Sequence, residues 1–250
     1  STTDIASSLI VWSGLKISAL PPDADHPYGH GKAEPLAAVA VSLTLIAAAI
    51  GIAVQSVREI LTPHHAPAAF TLAVLVLVVV TKETLFRFVF RVGQGINSTA
   101  VKSDAWHHRS DAITSGAAFV GISVSLVGGA GYESADDWAA LFASSIILVN
   151  AYRILHPAIN EVMDSAPSSD VDRNIREAAQ AVEGVLALEK CLIRKMGFSY
   201  YVDLHVTVDG DLSVRRGHDI ARQVKQAIRT SNPHVAGVLV HIEPSDLLNE

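Results

Sequence analysis

The sequence predicts an α-helical transmembrane bundle followed by a small α+β domain with helices on one face of a three-stranded sheet. Three observations carry this. The 250-residue chain is 50% hydrophobic and 18% charged, with a mean hydropathy of +0.33; an ordinary soluble domain has about 25% charged residues. The charge is also unevenly spread, because Pro35–Val57, Ala66–Thr81, Ala112–Tyr132 and Trp138–Tyr152 carry none. After Pro157 the composition turns polar, with helical and strand periodicities in alternation. The same numbers exclude disorder, which needs low hydrophobicity and high charge. A net charge of −6 without a clustered Lys/Arg patch excludes a nucleic-acid partner. The lone Cys191 excludes an intrachain disulfide framework and a cysteine-rich zinc finger.

The first segment, Ser1 to Leu20, is apolar from Ile5 to Leu15 and then meets Lys16. It has no cap ahead of it, so it reads as a helix entered part-way, with upstream residues expected. The uncharged runs match the roughly 20 apolar residues a spanning helix needs, the shorter two if Lys82, Arg87 and Arg153 snorkel to the interface. Lys82-Glu83 reads as a snorkelling pair, and Arg87 and Arg91 as headgroup or topology features. The link around 16–34 (Lys16, Lys32), the link around 82–102 (Lys82, Arg87, Arg91, Lys102) and the segment after Tyr152 (Arg153, Arg173) fall on one side of the implied topology, and Arg58 on the other. The positive-inside rule then makes the C-terminal part cytoplasmic. The predicted organisation is a transmembrane domain over 1–157, a linker over 158–168, and a cytoplasmic domain over 169–250.

In that last domain Asp170–Val182 has helical apolar spacing and stops at Gly184. Val185–Arg194 and Tyr200–Val208 read as strands joined at Met196-Gly197. The second alternates, with Val202, Leu204, Val206 and Val208 on one face and Asp203, His205 and Thr207 on the other. Gly217–Thr230 is an amphipathic helix, and Val235–Ile242 is a last strand.

Ionisable groups inside apolar helices are functional candidates because the bilayer makes them costly. Asp4 stands just before Ile5–Leu15. His107 and Asp111, at the mouth of the helix 112–132, share one helical face, whereas His108 points about 100° away. An imidazole and a carboxylate are half a tetrahedral zinc site; a His–Asp hydrogen bond anchoring a helix end reads equally well. Asp23, His26 and His30 can chelate a divalent ion from a short loop or be polar groups of an interfacial turn. In the last domain Glu189, His205, His218, His241 and Glu243 can converge if the strands pair, although each alone reads as a surface residue. His64-His65 reads as a solvated turn. No phosphate-binding loop, dinucleotide fingerprint or zincin motif is present, and the chain does not read as an enzyme.

Three of these stretches, HisProTyrGlyHisGlyLysAlaGlu at 26–34, TrpHisHisArgSerAspAla at 106–112, and the α-β-β-α-β domain ending in HisIleGluPro, together resemble the cation diffusion facilitator family of divalent-metal/proton antiporters. The resemblance covers nearly the whole chain. It implies a bundle of six transmembrane helices, of which five are visible here and the first is partial. It also implies a cytoplasmic metallochaperone-like domain, a homodimer and a bacterial inner-membrane location.

On the family pattern the transport site uses Asp4, a residue four before it, His107 and Asp111. Asp23, His26 and His30 match an interfacial loop site. His205, His218, His241 and Glu243 match cytoplasmic sites, with Glu189 where some relatives have His and Glu243 where Asp is common. Lys32 and Asp164 match a salt bridge that stabilises the dimer.

The implied function is efflux of a divalent cation in exchange for protons by alternating access. A histidine ligand favours Zn²⁺, with Fe²⁺, Cd²⁺ and Mn²⁺ as further candidates. The competing expectation is a non-transporting metal-sensing or partner subunit that binds metal only in the cytoplasmic domain.

Overall fold

The computed structural model describes residues 2–62, 70–129, 131, 132 and 134–245, with side chains from Ile5 onward. His64 and His65, and the side chain of Asp4, lie outside the described residues. The chain divides into two compact units, Ser1–Ile159 and Asn160–Glu250.

The first unit is built of helices α1 (Thr2–Ser18), α2 (Ala33–Leu61), α3 (Thr71–Gly95), α4 (Thr99–Gly128) and α5 (Ala135–Val162). Among the described residues α2, α4 and α5 are long and apolar enough to cross a membrane. α3 has the length but carries Lys82, Glu83, Arg87 and Arg91 within it. Its outward Val74, Leu77, Val80 and Phe88 are exposed, as befits side chains that meet lipid.

Small residues bring the helices together. Ala37, Ala38, Val41, Ala100 and Ala158 are buried with Val11. A Cβ placed on Gly14 would sit 2.4 Å from Ala37 Cβ, so this glycine sets the approach of α1 to α2. Such contacts supply the van der Waals packing that associates helices where lipid provides no hydrophobic drive.

Two sequence expectations change here. The predicted link over 82–102 shrinks to residues 96–98, because the helical pattern of α3 runs on through its charges to Gly95. α4 then starts at Thr99, with Ser98 as its cap accepting from the Val101 N–H. His107 and Asp111 are therefore not at a helix mouth but two to three turns inside, His107 about 12 Å along the axis from the first residue. Likewise α5 continues through Pro157 to Val162.

The second unit orders α6 (Ser169–Gln180), β1 (Ala187–Met196), β2 (Ser199–Val208), α7 (Val214–Ser231) and β3 (Val235–Pro244). The sheet order is β1-β2-β3, with β1/β2 antiparallel and β2/β3 parallel. The antiparallel pair needs only a tight turn, which Gly197 makes at φ +58°; the parallel pair needs the α7 crossover. Val202, Leu204, Val206 and Val208 face inward against Ile175 and Ala179 of α6 and Ile220, Val224 and Ile228 of α7. That one face is buried, so the opposite face of β2 is left to present Asp203 and His205.

Candidate metal centres

The loop between α1 and α2 closes on Asp23. One oxygen, Oδ1, accepts from the backbone N–H groups of Asp25 at 3.0 Å and His26 at 2.6 Å. His26 Nδ1 lies 3.1 Å from the same oxygen, and His30 Nε2 lies 3.4 Å from Oδ2. The two rings stand 4.3 Å apart. One donor atom from each of Asp23, His26 and His30 falls within a 4.8 Å group, and Gly29, at φ +84°, lets the chain turn between the histidines. The His26 N–H, followed by the two imidazoles, holds the Asp23 carboxyl below the usual carboxylate value despite some desolvation. It is a carboxylate fixed as an acceptor, and with two imidazoles it forms a nitrogen–oxygen donor set suited to a borderline dication.

A second group sits on the outer face of the sheet. The parallel register places His205 opposite His241 and Thr207 opposite Glu243. His205 Nδ1 is 2.5 Å from Glu243 Oε1, and His241 Nε2 is 3.7 Å from the same atom. These three also form a group with donors within 4.8 Å. Glu189 reaches them because the β1/β2 register shifts between Leu188 and Lys190; the bulge leaves residue 189 free to aim at its neighbours. Its hydrogen bond to Glu243 raises the Glu189 carboxyl and lowers that of Glu243, which His205 lowers further. Of the two acids Glu189 is therefore the more readily protonated. His218 stands apart from this trio. It lies in α7 and lines an apolar groove with Leu212, Val240 and Ile242.

The third arrangement is inside the helical unit, on α4. His107 and His108 are buried. His107 Nε2 lies 3.9 Å from Asp111 Oδ2, so the imidazole–carboxylate pair read from the spacing does meet. The same Asp111 oxygen is 2.7 Å from Lys82 Nζ of α3. This overturns the reading of Lys82-Glu83 as a snorkelling pair: Glu83 turns instead to Arg87, at 2.9 Å, and Lys82 points into the α3–α4 contact with 16% of its side chain exposed.

One step around α4, Asp104 and His108 form a parallel pair at 3.9 Å, and Asp104 Oδ1 accepts from Ser7 of α1 at 2.8 Å. His108 does point away from His107, but toward another buried acid rather than lipid. The spacing Asp104–His108 is the same four-residue step as His107–Asp111 and was visible in the sequence. A further buried acid, Glu34, accepts from the Ser98 hydroxyl at 2.6 Å and the Ala100 N–H at 2.7 Å. Lys32 is the N-cap residue of α2, and Asp164 follows α5 at φ +58°.

The cation efflux transmembrane domain family matches residues 1–163, and the cytoplasmic domain family of cation efflux proteins matches residues 167–245. The chain belongs to the cation diffusion facilitator family. Similar proteins include the manganese efflux system protein MneP of Bacillus subtilis, 29% identical over 98% of this chain and 84% of that protein. The cation-efflux pump FieF of Cronobacter sakazakii is 31% identical over 99% of this chain and 82% of its own length. Metal tolerance protein C1 of Arabidopsis thaliana is 32% identical, with 99% of this chain covering 55% of that relative. Solved structures of the MamM C-terminal domain, a cadmium form among them, align with 30% of this chain and 93% of theirs at 27% identity and a TM-score of 0.30. A membrane domain and a cytoplasmic domain of a metal efflux protein are therefore both present in this facilitator.

Proposed function

We propose that this facilitator exports a divalent transition-metal ion in exchange for protons by alternating access. The observation that supports this best is the His107–Asp111 pair at 3.9 Å within α4 of a cation efflux domain. Imidazole and carboxylate must be deprotonated to hold a metal ion, so loading releases protons and protonation expels the ion. If the site opens alternately to each side, metal flux and proton flux are coupled without nucleotide hydrolysis.

Asp4 is the expected third ligand from α1. A mixed nitrogen–oxygen set suits Zn²⁺ first and admits Mn²⁺, Fe²⁺ and Cd²⁺; the named relatives include a manganese exporter. The loop trio Asp23, His26 and His30 is read as an interfacial ion site. His205, His241 and Glu243, with Glu189 beside them and His218 as an outlying candidate, are read as a cytoplasmic site. Metal bound there favours transport only if it binds one conformation of the carrier more tightly than the other. The cytoplasmic domain is read as pairing in a homodimer, with Lys32 and Asp164 as a stabilising salt bridge, in a bacterial inner membrane.

The test is uptake of Zn²⁺ and Mn²⁺ into acid-loaded proteoliposomes of the full-length protein. His107→Ala and Asp111→Ala are expected to abolish uptake. Wild-type rates in the double variant would reject the proposal, and uptake that ignores the pH gradient would reject its proton coupling.

A further inference from the structure

We propose that Lys82 is a tethered counter-cation of the membrane ion site, occupying Asp111 whenever the metal ion is absent and leaving it when the ion arrives. The inference rests on reading His107 and Asp111 as the transport pair and goes beyond it by giving a role to a cation on a different helix. The geometry is direct. Lys82 Nζ is 2.7 Å from Asp111 Oδ2, and His107 Nε2 is 3.9 Å from that same oxygen. Ammonium and imidazole therefore converge on one carboxylate oxygen, on the face of α4 turned to α3.

Neighbouring cations have other occupations. Arg87 is bound to Glu83. The Arg109 guanidinium stacks 4.5 Å from the Phe86 ring centre and 5.2 Å from that of Trp106. Lys82 is thus the cation delivered to Asp111, and the aromatic contacts around Arg109 keep the α3–α4 interface in register beneath it.

Two consequences follow from charge alone. A dication held at about 2.0–2.2 Å from a carboxylate oxygen cannot share that oxygen with an ammonium at hydrogen-bond distance, because like charges so placed repel strongly in a low-dielectric interior. Metal binding must displace Lys82, whose flexible four-carbon stem allows it. When the ion has left, an Asp111 carboxylate that has not taken up a proton is costly inside the bilayer. Lys82 returning to Asp111 removes that cost, so the empty carrier can reorient. The lysine weakens metal binding and speeds the return of the empty site, which is the compromise a carrier needs: an ion held too firmly is not released.

The experiment uses full-length protein in proteoliposomes, with Mn²⁺ and Zn²⁺ as probes, and separates KM from kcat. Lys82→Met is expected to lower KM about tenfold and to lower kcat as well, since a repulsive neighbour is lost in the loaded state and a compensating one in the empty state. Lys82→Arg keeps a cation within reach and is expected to restore most of kcat. Should Lys82→Met not insert, Lys82→Gln serves in the same assay. Unchanged KM in the neutral variants overturns the proposal, as does an equal loss of kcat in the neutral and arginine variants, the pattern of a mere strut. His107→Ala or Asp111→Ala retaining transport would instead reject the transport pair on which it rests.

Discussion

The Glu34 carboxylate, at the start of α2, caps the first turn of α4 by accepting from the Ser98 hydroxyl at 2.6 Å and from the Ala100 N–H at 2.7 Å. Glu34 is fully buried, so the oxygen that accepts both bonds is shielded from solvent. The first N–H groups of a helix have no partner within it, and a negative charge there is favoured by the helix dipole. Glu34→Ala leaves those donors buried and unmet, at a cost of about 1–3 kcal/mol. Glu34→Gln keeps an acceptor oxygen and should fall between. Thermal unfolding of the detergent-solubilised protein measures both; an alanine variant as stable as wild type would refute the cap.

Ser7 ties α1 to α4 through Asp104. Side-chain hydrogen bonds between membrane helices average about 0.6 kcal/mol and reach about 1.7. Ser7→Ala should therefore lower the unfolding temperature modestly, while Asp104→Ala should lower it more because His108 loses its buried acid as well. A double-mutant cycle on Ser7 and Asp104 reads the coupling directly, and a coupling of zero would deny the bond any weight.

The helices, the strands and the His107–Asp111 pair were legible in the sequence because each depends on local periodicity. β2 alternates, and its inward residues are the buried ones; a four-residue step puts two side chains on one helix face wherever the helix lies. What the sequence hid is tertiary. Lys82 and Glu83 are adjacent in the chain, but the α3–α4 contact sends one to Asp111 and the other to Arg87. Glu189 joins His205 and Glu243 through a register shift that no local pattern announces. Glu34 meets Ser98 only because α2 and α4 begin beside one another. The Asp104–His108 pair follows the same four-residue step as its neighbour and is equally legible in the sequence.

The two histidine-bearing clusters lie in different compact units, so their metal binding should be separable. Full-length protein stripped with a chelator and titrated with Zn²⁺ should lose one class of sites on Asp23→Ala and a different class on His205→Ala. Independent sites combine additively, so the double variant should lose both classes. Identical titration curves for wild type and either single variant would remove that cluster from the candidates.

Cys191 on β1 gives a pH-dependent outcome. Burial raises its thiol above the ordinary value, with Arg176 opposing this in part. The folded state therefore favours the neutral thiol. That contribution to stability is complete below the unfolded thiol's value and is lost as pH rises through the raised folded value. Because the thiolate is the reactive form, iodoacetamide should label native Cys191 slowly at neutral pH, more slowly than the unfolded chain, and should speed up only on the alkaline side of the ordinary thiol range. Equal labelling of native and unfolded protein at neutral pH would contradict the shielding.

Gly14 is the point of nearest approach between α1 and α2. A Cβ there would lie 2.4 Å from Ala37 Cβ and 3.1 Å from the Ala33 carbonyl oxygen, and neither neighbour is the movable end of a long side chain. Gly14→Ala forces the helices apart at that level, and Gly14→Val does so further. Overpacking of this kind costs about 1–3 kcal/mol. The displacement would also fall on the helix that carries Asp4 and Ser7, so both variants should transport more slowly than their loss of stability alone would explain. Ala37→Gly removes the obstructing methyl, and in combination with Gly14→Ala it should recover most of the loss in both stability and transport. If Gly14→Val is neutral in both, the close contact between α1 and α2 does not exist in the working protein.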